Sequence, residues 1–438
     1  MPRPDPQPHP GREVLALAIP AFATLVSEPL LQLADSAIIG HLGTPQLAGL
    51  GIAGNVVGIL TGLCVFLAYS TTGTVARRIG AGDPRGALAG GVDGIGLAAL
   101  LGMGLALGLE MLVGPVVTLY GASAEVAGYA TTYLRVVALA FPFLLVMLAS
   151  VGVLRGLQDT RTPLKVTIGI NLVNIGLNFA LVYGAGLGIL GAALGTLVAQ
   201  ALAAIILSLV VLRGARRAGV PLRVHPAGIA QAARAGSWLV LRSVALWLTL
   251  TGTTVVATRM GAVSLATHQV VTSLWMFLAF ALDALAIAAQ AIIGHYLGAG
   301  QAATVRRLTG MMVRWGVWFG LVLGLLIAVA SPWIPAIFTT DPEVRALLAR
   351  VLLVVAGQLP LAGVVYLLDG VLIGAGDTRY LAVAGTVVAL AYLPFAWWVD
   401  AAQAGLVWLW AAYGVSMLGR GIVLGLRARG TRWQRLGA

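Results

Sequence analysis

The same short sequences recur in the two halves of this chain at one constant spacing of 218 residues. Gly80-Ala81-Gly82 matches Gly298-Ala299-Gly300, and Asp159-Thr160-Arg161 matches Asp377-Thr378-Arg379. The same shift aligns Leu47-Ala48 with Leu265-Ala266, Glu125-Val126 with Glu343-Val344, Pro142 with Pro360, and Gly152-Val153-Leu154 with Gly370-Val371-Leu372. An offset that holds without a gap from residue 47 to residue 161 predicts two copies of one structural unit.

The composition indicates what kind of unit is repeated. Of the 438 residues, 59% are hydrophobic and 10% are charged, which is too apolar for a soluble globular protein of this length. A membrane-spanning helix needs roughly 20 apolar residues. We therefore predict an all-α polytopic membrane protein with twelve transmembrane helices, near residues 13–39, 46–75, 87–113, 124–153, 163–184, 189–212, 229–257, 265–294, 308–330, 343–373, 380–399 and 404–426.

The distribution of basic residues predicts the orientation of these helices. Of 27 Lys and Arg residues, 21 lie in or beside the terminal segments and the even-numbered connections, whereas the odd-numbered connections hold only Arg259, Arg345 and Arg350. By the positive-inside rule, we expect both termini to be cytoplasmic. We also expect the protein to reside in the plasma (inner) membrane. The net charge of +12 then reflects topology and contact with membrane lipids, and we expect no nucleic-acid partner.

The spans fall into two groups of six, so both halves start on the same side of the membrane as parallel repeats. This arrangement predicts two six-helix bundles with a central cleft. We place the N-terminal lobe at 13–212, a cytoplasmic linker at 213–228 and the C-terminal lobe at 229–426. Residues 1–12 are expected to form a disordered cytoplasmic tail and residues 427–438 a basic one. Closed lobes of this size can act alone, so we expect a monomer.

Several classes of function are excluded by what the sequence lacks. Cys64 is the only cysteine, which rules out an intrachain disulfide and makes a cysteine-based metal cluster implausible. The phosphate-binding pattern G-x-x-x-x-G-K-[ST] does not occur, so the sequence gives no sign of a nucleotide-driven motor. No enzymatic motif was found either. We expect no enzyme activity, no cofactor and no metal site.

Several segments resemble a known transporter family. The segment LADSAIIGHLG at residues 33–43 follows Pro20, Glu28 and Pro29 in the first span. Together with Leu241-Arg242-Ser243, Ala281-Leu282-Asp283 and Tyr366-Leu367-Leu368-Asp369-Gly370, it is similar to the multidrug and toxic compound extrusion family, in the branch of the DNA-damage-inducible F protein. The resemblance implies twelve helices in two bundles. It also implies a cleft that opens alternately to the two faces and exports organic compounds against an inward flux of protons or sodium ions.

Four acidic residues inside the predicted spans break the repeat. The 218-residue shift aligns Asp35 with Thr253, Glu28 with Leu246, Asp283 with Val65 and Asp369 with Val151. Residues shared by both halves are expected to maintain the scaffold. An ionisable residue within a membrane is energetically costly and indicates an ion or substrate pathway, or an ion pair.

Asp35 is the strongest candidate for coupling transport to a proton gradient. No basic residue lies within a helical turn of it, and a desolvated carboxylate without a partner can take up a proton near neutral pH. Glu28 and Gln32 lie on roughly the same helix face and complete a polar stripe. Pro29 interrupts the helix hydrogen bonds inside this stripe, so we expect the helix to bend there, with Pro20 as a second bending position. The alternative is a structural acid that is hydrogen-bonded to neighbouring helices.

The fifth span carries a second polar face. Asn171, Asn174 and Asn178 follow at i, i+3 and i+7, and Tyr183 lies beyond them. Many members of the resembled family have an aspartate at the position matched to Asn178. An asparagine cannot exchange a proton, which favours proton coupling at Asp35 and leaves fewer acids for a sodium site. These residues are candidates for cation or substrate binding, and hydrogen bonding between helices is an equal alternative.

The C-terminal lobe holds three charged residues at one predicted depth. Arg242, Asp283 and Asp369 all fall in the inner half of their spans. Charges of opposite sign at one level indicate pairing, so we predict a buried pair between Arg242 and either Asp283 or Asp369. A structural lock is favoured over a binding role for cations or substrates.

These observations favour a secondary active exporter that exchanges protons for amphipathic, often cationic, organic compounds by alternating access. The alternatives are sodium-coupled antiport on the same fold, or a flippase for lipids or lipid-linked oligosaccharides. A non-transporting receptor or scaffold is disfavoured because such a protein gains nothing from costly buried acids.

Overall fold

The computed structural model describes residues 10–437 of the chain. The predicted N-terminal tail lies mostly outside these residues, and α1 begins at Pro10. Every regular element within residues 10–437 is helical. The helices are α1 Pro10–Gly40, α2 Thr44–Cys64, α3 Phe66–Gly80, α4 Pro84–Thr118, α5 Ala124–Ala138, α6 Phe141–Gly156, α7 Arg161–Phe179, a π-helical turn Ala180–Gly184, α8 Gly188–Arg217, α9 Pro226–Arg259, α10 Ala262–Gly298, α11 Ala302–Ala330, α12 Ile334–Phe338, α13 Pro342–Gly374, α14 Thr378–Ala401 and α15 Leu406–Arg429.

The helix lengths agree with the twelve predicted spans. Eleven helical segments of the described chain are long and apolar enough to cross a membrane, with α2 and α3 forming one of them. The twelfth span is the pair α5 and α6, which is bent by 52° between Ala138 and Phe141. The prediction of an all-α polytopic membrane protein is therefore confirmed.

The helix boundaries repeat with the same offset as the sequence. Shifting the pair α5 and α6, residues 124–156, by 218 gives 342–374, which are the bounds of α13. Shifting α2 and α3, residues 44–80, gives 262–298, the bounds of α10. One copy therefore uses a broken helix where the other uses a continuous one.

Repeated glycines have a structural explanation in each copy. Gly152 of α6 packs against the backbone of Ala68 in α3, and a Cβ there would lie 2.6 Å from the Ala68 carbonyl oxygen. Its repeat partner Gly370 of α13 meets the backbone of Ala286 in α10 in the same way. Close approach of two helix backbones requires a residue without a side chain. The shared Gly-Val-Leu sequence thus maintains a helix contact that both copies contain.

The chain divides into two compact units, each described here by itself. The N-terminal unit comprises residues 19–236, and among the described residues the C-terminal unit combines 10–18 with 237–437. The divisions fall inside α1 and α9, and the predicted linker at 213–228 belongs wholly to the N-terminal unit. Local packing explains this: Gly236 lies against Phe66 of the N-terminal unit, whereas Gly11 lies against Trp315 of the C-terminal unit.

Each unit has its own buried core. In the N-terminal unit, Leu207 of α8 packs with Val75 of α3 and with Val153 and Leu154 of α6. In the C-terminal unit, α10 and α13 are the most buried spans, and both present long runs of small and aliphatic residues. These cores fix the positions of the helices that carry the polar residues described next.

Candidate functional site

Asp35 of α1 is bonded to α7 through an asparagine side chain. Asn178 Nδ2 donates to Asp35 Oδ1 at 2.7 Å and to Asn174 Oδ1 at 3.0 Å. Asn174 and Asn178 are 1% and 0% exposed. Their spacing of four residues places both amides on one face of α7. The polar face predicted for this helix is thus directed at the carboxylate predicted to carry the proton.

Two further hydrogen bonds join the same helices on either side of Asp35. Asn171 Nδ2 donates to the Ser27 carbonyl oxygen at 3.2 Å. The Tyr183 hydroxyl, in the π-helical turn after α7, donates to the Ile38 carbonyl oxygen at 2.5 Å. Asn171, Asn178 and Tyr183 therefore bond α1 at three places between Ser27 and Ile38, and Asn174 holds the Asn178 side chain.

Glu28 and Gln32 extend this network along α1. The Gln32 side chain hydrogen-bonds Glu28, and both residues are exposed. Tyr133 of α5 lies near both Asp35 and Glu28 and hydrogen-bonds Thr196 of α8. Within residues 10–437, no Lys or Arg forms an ion pair with either acid. The two carboxylates are held by neutral polar groups, so they lack the fixed countercharge that would keep them ionised.

The helix α1 is continuous from Pro10 to Gly40 although it contains Pro20 and Pro29. Proline has no N–H, so the carbonyl oxygen of Leu25 lacks its usual helical donor at Pro29. Asn171 of α7 bonds the Ser27 carbonyl only two residues before this position. A bend of α1 at Pro29 remains a prediction.

The orientation of the Asn178 amide explains why this position suits asparagine. Its Nδ2 serves both acceptors, and its Oδ1 is buried without a hydrogen-bond partner among the described residues. An ionised aspartate could not donate to Asp35. Gly195 of α8 lies so close that a Cβ there would overlap Asn178 Oδ1. Because Gly195 has no side chain, there is room beside it for the Asn178 amide.

The corresponding place in the C-terminal unit has a different chemistry. Under the 218-residue shift, Asp35, Asn174 and Gly195 correspond to Thr253, Tyr392 and Tyr413. The Thr253 and Tyr392 hydroxyls are 2.7 Å apart, which parallels the contact of α1 with α7. The Tyr413 ring packs on Tyr392 at 6.3 Å and on Trp410 at 5.3 Å between ring centroids. This counterpart contains hydroxyls and aromatic rings where the N-terminal unit holds a carboxylate and amides.

The charged residues of the C-terminal unit form a separate cluster. Arg242 Nη2 lies 2.8 Å from Asp369 Oδ2, and Arg420 Nη2 contacts the same oxygen. The three side chains are 12%, 6% and 11% exposed in the order Arg242, Asp369 and Arg420. Tyr366 lies near all three and near Asp283. Of the two acids predicted as partners of Arg242, Asp369 lies within ion-pair distance of it.

Sequence reasoning left out several residues that the structure places at these sites. Arg420, Tyr133 and Gly195 were not among the candidates. Arg420 did carry a signal, since it is one of three basic residues inside the predicted spans. Gly195 carried a weaker one, because the repeat aligns it with the bulky Tyr413. Within residues 10–437, no group of three or more His, Cys, Asp or Glu side chains could hold a metal ion.

Comparison with known proteins gives consistent matches along the chain. The MatE family model matches residues 20–180 and 239–398. The DNA damage-inducible protein F of Escherichia coli (strain K12) is 30% identical over 423 residues, which cover 93% of this chain and 90% of that protein. Protein DETOXIFICATION 44, chloroplastic, of Arabidopsis thaliana is 29% identical over 456 residues, covering 99% of this chain and 86% of that protein.

A solved structure shows the same fold. The crystal structure of a mutant of the Vibrio cholerae MATE transporter VcmN superposes with a TM-score of 0.87 at 22% sequence identity. The superposition covers 96% of each chain. At this identity the likeness establishes the shared fold.

Proposed function

The chain belongs to the MatE family of transporters, and from this premise we propose that it is a secondary active exporter coupled to protons. In this proposal it exports amphipathic, often cationic, organic compounds by alternating access. The names of its relatives, which include a probable multidrug resistance protein NorM of Thermotoga maritima, favour a role in the efflux of foreign compounds.

The observation that carries the proposal is the neutral environment of Asp35. Its described hydrogen-bond partner is the Asn178 amide at 2.7 Å, and no described Lys or Arg pairs with it. A carboxylate in such surroundings can alternate between its protonated and ionised forms, which a fixed guanidinium would prevent. Sodium coupling would need several oxygen ligands around the ion, and Asn178 directs its nitrogen at Asp35.

The contacts suggest how a proton could change the structure of α1. An ionised Asp35 accepts a charge-assisted hydrogen bond from Asn178, and protonation removes that charge and weakens the bond. Asp35 is the central of the three attachments between α1 and α7. We propose that its release allows α1 to bend at Pro29 and that this bend expels substrate from the N-terminal unit.

The test is efflux from proteoliposomes under imposed gradients. Purified protein is reconstituted with ethidium inside, and release is followed under a pH gradient or a sodium gradient. Native protein should respond to the pH gradient alone. Asp35→Asn should lose this response because asparagine cannot exchange a proton, while its similar size preserves packing. The exposed acid Glu125 provides a matched control, since Glu125→Gln should transport normally.

Other outcomes of this experiment would contradict the proposal. A response to the sodium gradient alone would replace protons by sodium as the coupling ion. Normal pH-driven efflux in Asp35→Asn would remove Asp35 from the coupling step. Absence of ethidium release by native protein under either gradient would contradict export of such cationic compounds.

We also propose that the protein lies in the plasma membrane as a monomer, with both termini in the cytoplasm. The excess of basic residues in the predicted inner connections supports this orientation. A single cysteine in the C-terminal tail, in a Cys64→Ala background, should react with a membrane-impermeant maleimide only after the cells are opened. Labelling in intact cells would show that the C-terminal tail lies outside the cell, contrary to this proposal.

A further inference from the structure

The connection between α8 and α9 packs along α4 within the N-terminal unit. Residues 220–225 of this connection have no regular secondary structure, and we call them the strap. Val220 of the strap belongs to a buried apolar cluster with Leu88 of α4. Val224 lies further along α4, beside Gly96, where an added Cβ would come within 2.6 Å of the valine side chain. The strap therefore follows α4 over about two helical turns.

Asp93 of α4 holds the end of the strap where α9 begins. Asp93 Oδ1 accepts a hydrogen bond of 2.8 Å from the backbone N–H of His225. His225 precedes the first residue of α9, and its carbonyl oxygen accepts a hydrogen bond from the Ile229 N–H at 3.0 Å. Gly228 lies so close that a Cβ there would overlap Asp93 Oδ2. A carboxylate is favourable at a helix N-terminus, because the first N–H groups lack helical acceptors. Asp93 thus fastens the start of α9 to α4.

Asp93 is another acid that occurs in only one copy of the repeat. The 218-residue shift aligns it with Met311. Asp93 is 8% exposed, and a buried carboxylate is costly unless it is bonded. The strap joins the two copies and so occurs once. The contact with the strap and with the first turn of α9 therefore gives a local reason for an acid at this position.

The side chain of His225 adds a titratable group to this contact. Its Nδ1 lies 3.9 Å from Asp93 Oδ1, and the side chain is 61% exposed. Histidine is the side chain that ordinarily changes charge between about pH 5 and pH 8. The backbone N–H of His225 donates to Asp93 whether the ring is charged or neutral. Protonation of the ring adds a positive charge next to the carboxylate and should strengthen the attachment.

The other charged groups along the strap are arranged differently. Arg223 is exposed on the strap itself. Arg85, near the start of α4, approaches Gly219 just before the strap begins. The first two turns of α9, residues 226–233, contain no charged residue. Asp93 is thus the described acid within ion-pair distance of His225, and it is the group on which a response of the strap to pH would depend.

We propose that Asp93 and His225 form a latch that holds the start of α9 more tightly to α4 on acidification. The consequence for transport rests on the proposed function. In the proposed orientation the strap faces the cytoplasm, which is the side that receives protons during export. A tighter latch restrains α9, so transport slows as the cytoplasm becomes more acidic.

Hydrogen–deuterium exchange tests the latch without transport. Native protein in detergent is compared at about pH 8 and about pH 6, a range that spans the charge change of histidine. Exchange of residues 218–230 is corrected for the intrinsic pH dependence of amide exchange. Protection should be about two- to fivefold greater at the lower pH, which is the effect expected of an exposed ion pair.

Substitutions that fix the charge make this test specific. His225→Gln should show the weaker protection at both pH values, whereas His225→Lys, with a permanent charge, should show the stronger protection at both. Asp93→Asn preserves the side-chain shape without the negative charge, so protection should fall and lose its pH response. His41→Gln removes an exposed histidine just after α1 and should keep the native response. A normal gel-filtration profile shows that each variant is folded.

Equal protection of native protein at both pH values would overturn the latch, as would an undiminished response in His225→Gln. The effect on transport is measured in everted membrane vesicles, with both pH values lowered at a constant pH difference. The efflux rate of native protein relative to His225→Gln should fall at least about twofold. A constant ratio would overturn the restraint on transport. Because exchange is measured without a gradient, a failure of the latch is distinguishable from a failure of proton coupling at Asp35.

Discussion

Asn178 donates one side-chain nitrogen to two acceptors, Asp35 Oδ1 at 2.7 Å and Asn174 Oδ1 at 3.0 Å. This shared donor links Asp35 of α1 to the polar face of α7. A neutral donor can accompany the carboxylate in both protonation states, because a protonated Asp35 still offers a carbonyl oxygen as acceptor. The bond to the protonated form is weaker, because its charge assistance is lost, so proton uptake loosens the attachment of α1 to α7.

Removing this donor should uncouple transport and weaken the fold. Asn178→Leu deletes both hydrogen bonds and leaves the part-buried Asp35 and the buried Asn174 without this donor, and an unpaired buried acceptor costs about 1–3 kcal/mol. We expect a lower midpoint of thermal unfolding in detergent and at least a tenfold loss of pH-driven efflux. Asn171→Leu, which loses only a bond to the Ser27 carbonyl, is the matched control and should retain coupling. Equal effects of both substitutions would contradict a special role for Asn178.

Gly195 should be as important for efflux as Asn178, because it leaves room for the Asn178 side chain. In Gly195→Ala, the added Cβ overlaps Asn178 Oδ1 and forces the amide away from Asp35. We expect efflux to fall strongly while the protein stays folded, since the displacement is local. Gly214→Ala on the same helix has open space around its Cβ and should behave like native protein. Normal efflux by Gly195→Ala would show that the amide tolerates a new position.

The sequence alone predicts the membrane-spanning helices and the candidate functional residues. Long apolar stretches and a constant offset predict spans, because both depend only on the order of residues along the chain. The polar stripe at Asp35 and the asparagine face of α7 could be chosen in the same way, since spacing fixes which residues share a helix face.

The partners of these residues could not be predicted from spacing. Which helix faces Asp35 depends on tertiary packing. The position of Asn178 in the sequence does not indicate which residue its side chain will bond. Arg420 illustrates the limit: its position inside a span indicated a buried charge, but nothing in the sequence joined it to Asp369, 51 residues away. The division inside α9 likewise follows from contacts such as Gly236 with Phe66.

The shared carboxylate of the C-terminal cluster leads to a prediction about stability. Asp369→Asn leaves two adjacent guanidiniums without their common countercharge, and breaking such a buried pair costs about 3–5 kcal/mol. Adding Arg420→Gln to Asp369→Asn removes one of the repelling charges and should recover part of this loss. Thermal unfolding of the two single variants and the double variant completes the thermodynamic cycle. Purely additive effects would show that the two residues do not interact.

The two copies differ at one turn in a way that predicts a stabilising substitution. Gln158 precedes the Asp159-Thr160-Arg161 sequence with φ of +63°, and its repeat counterpart is Gly376 with φ of +74°. A side chain in this left-handed conformation is strained by about 1 kcal/mol or more, whereas glycine adopts it readily. The Gln158 side chain also has a buried Nε2 without a hydrogen-bond partner among the described residues.

Gln158→Gly should therefore raise the midpoint of thermal unfolding. The gain is expected to be about 1 kcal/mol at most, because glycine also increases the freedom of the unfolded chain. Efflux should be unchanged, since Gln158 lies in the turn between α6 and α7, away from Asp35. Gln301→Gly tests the alternative that any glycine in a turn stabilises the protein: Gln301 has φ of −92°, so this substitution should lower the midpoint. A lower midpoint in Gln158→Gly would mean that its side chain contributes more than the strained backbone costs.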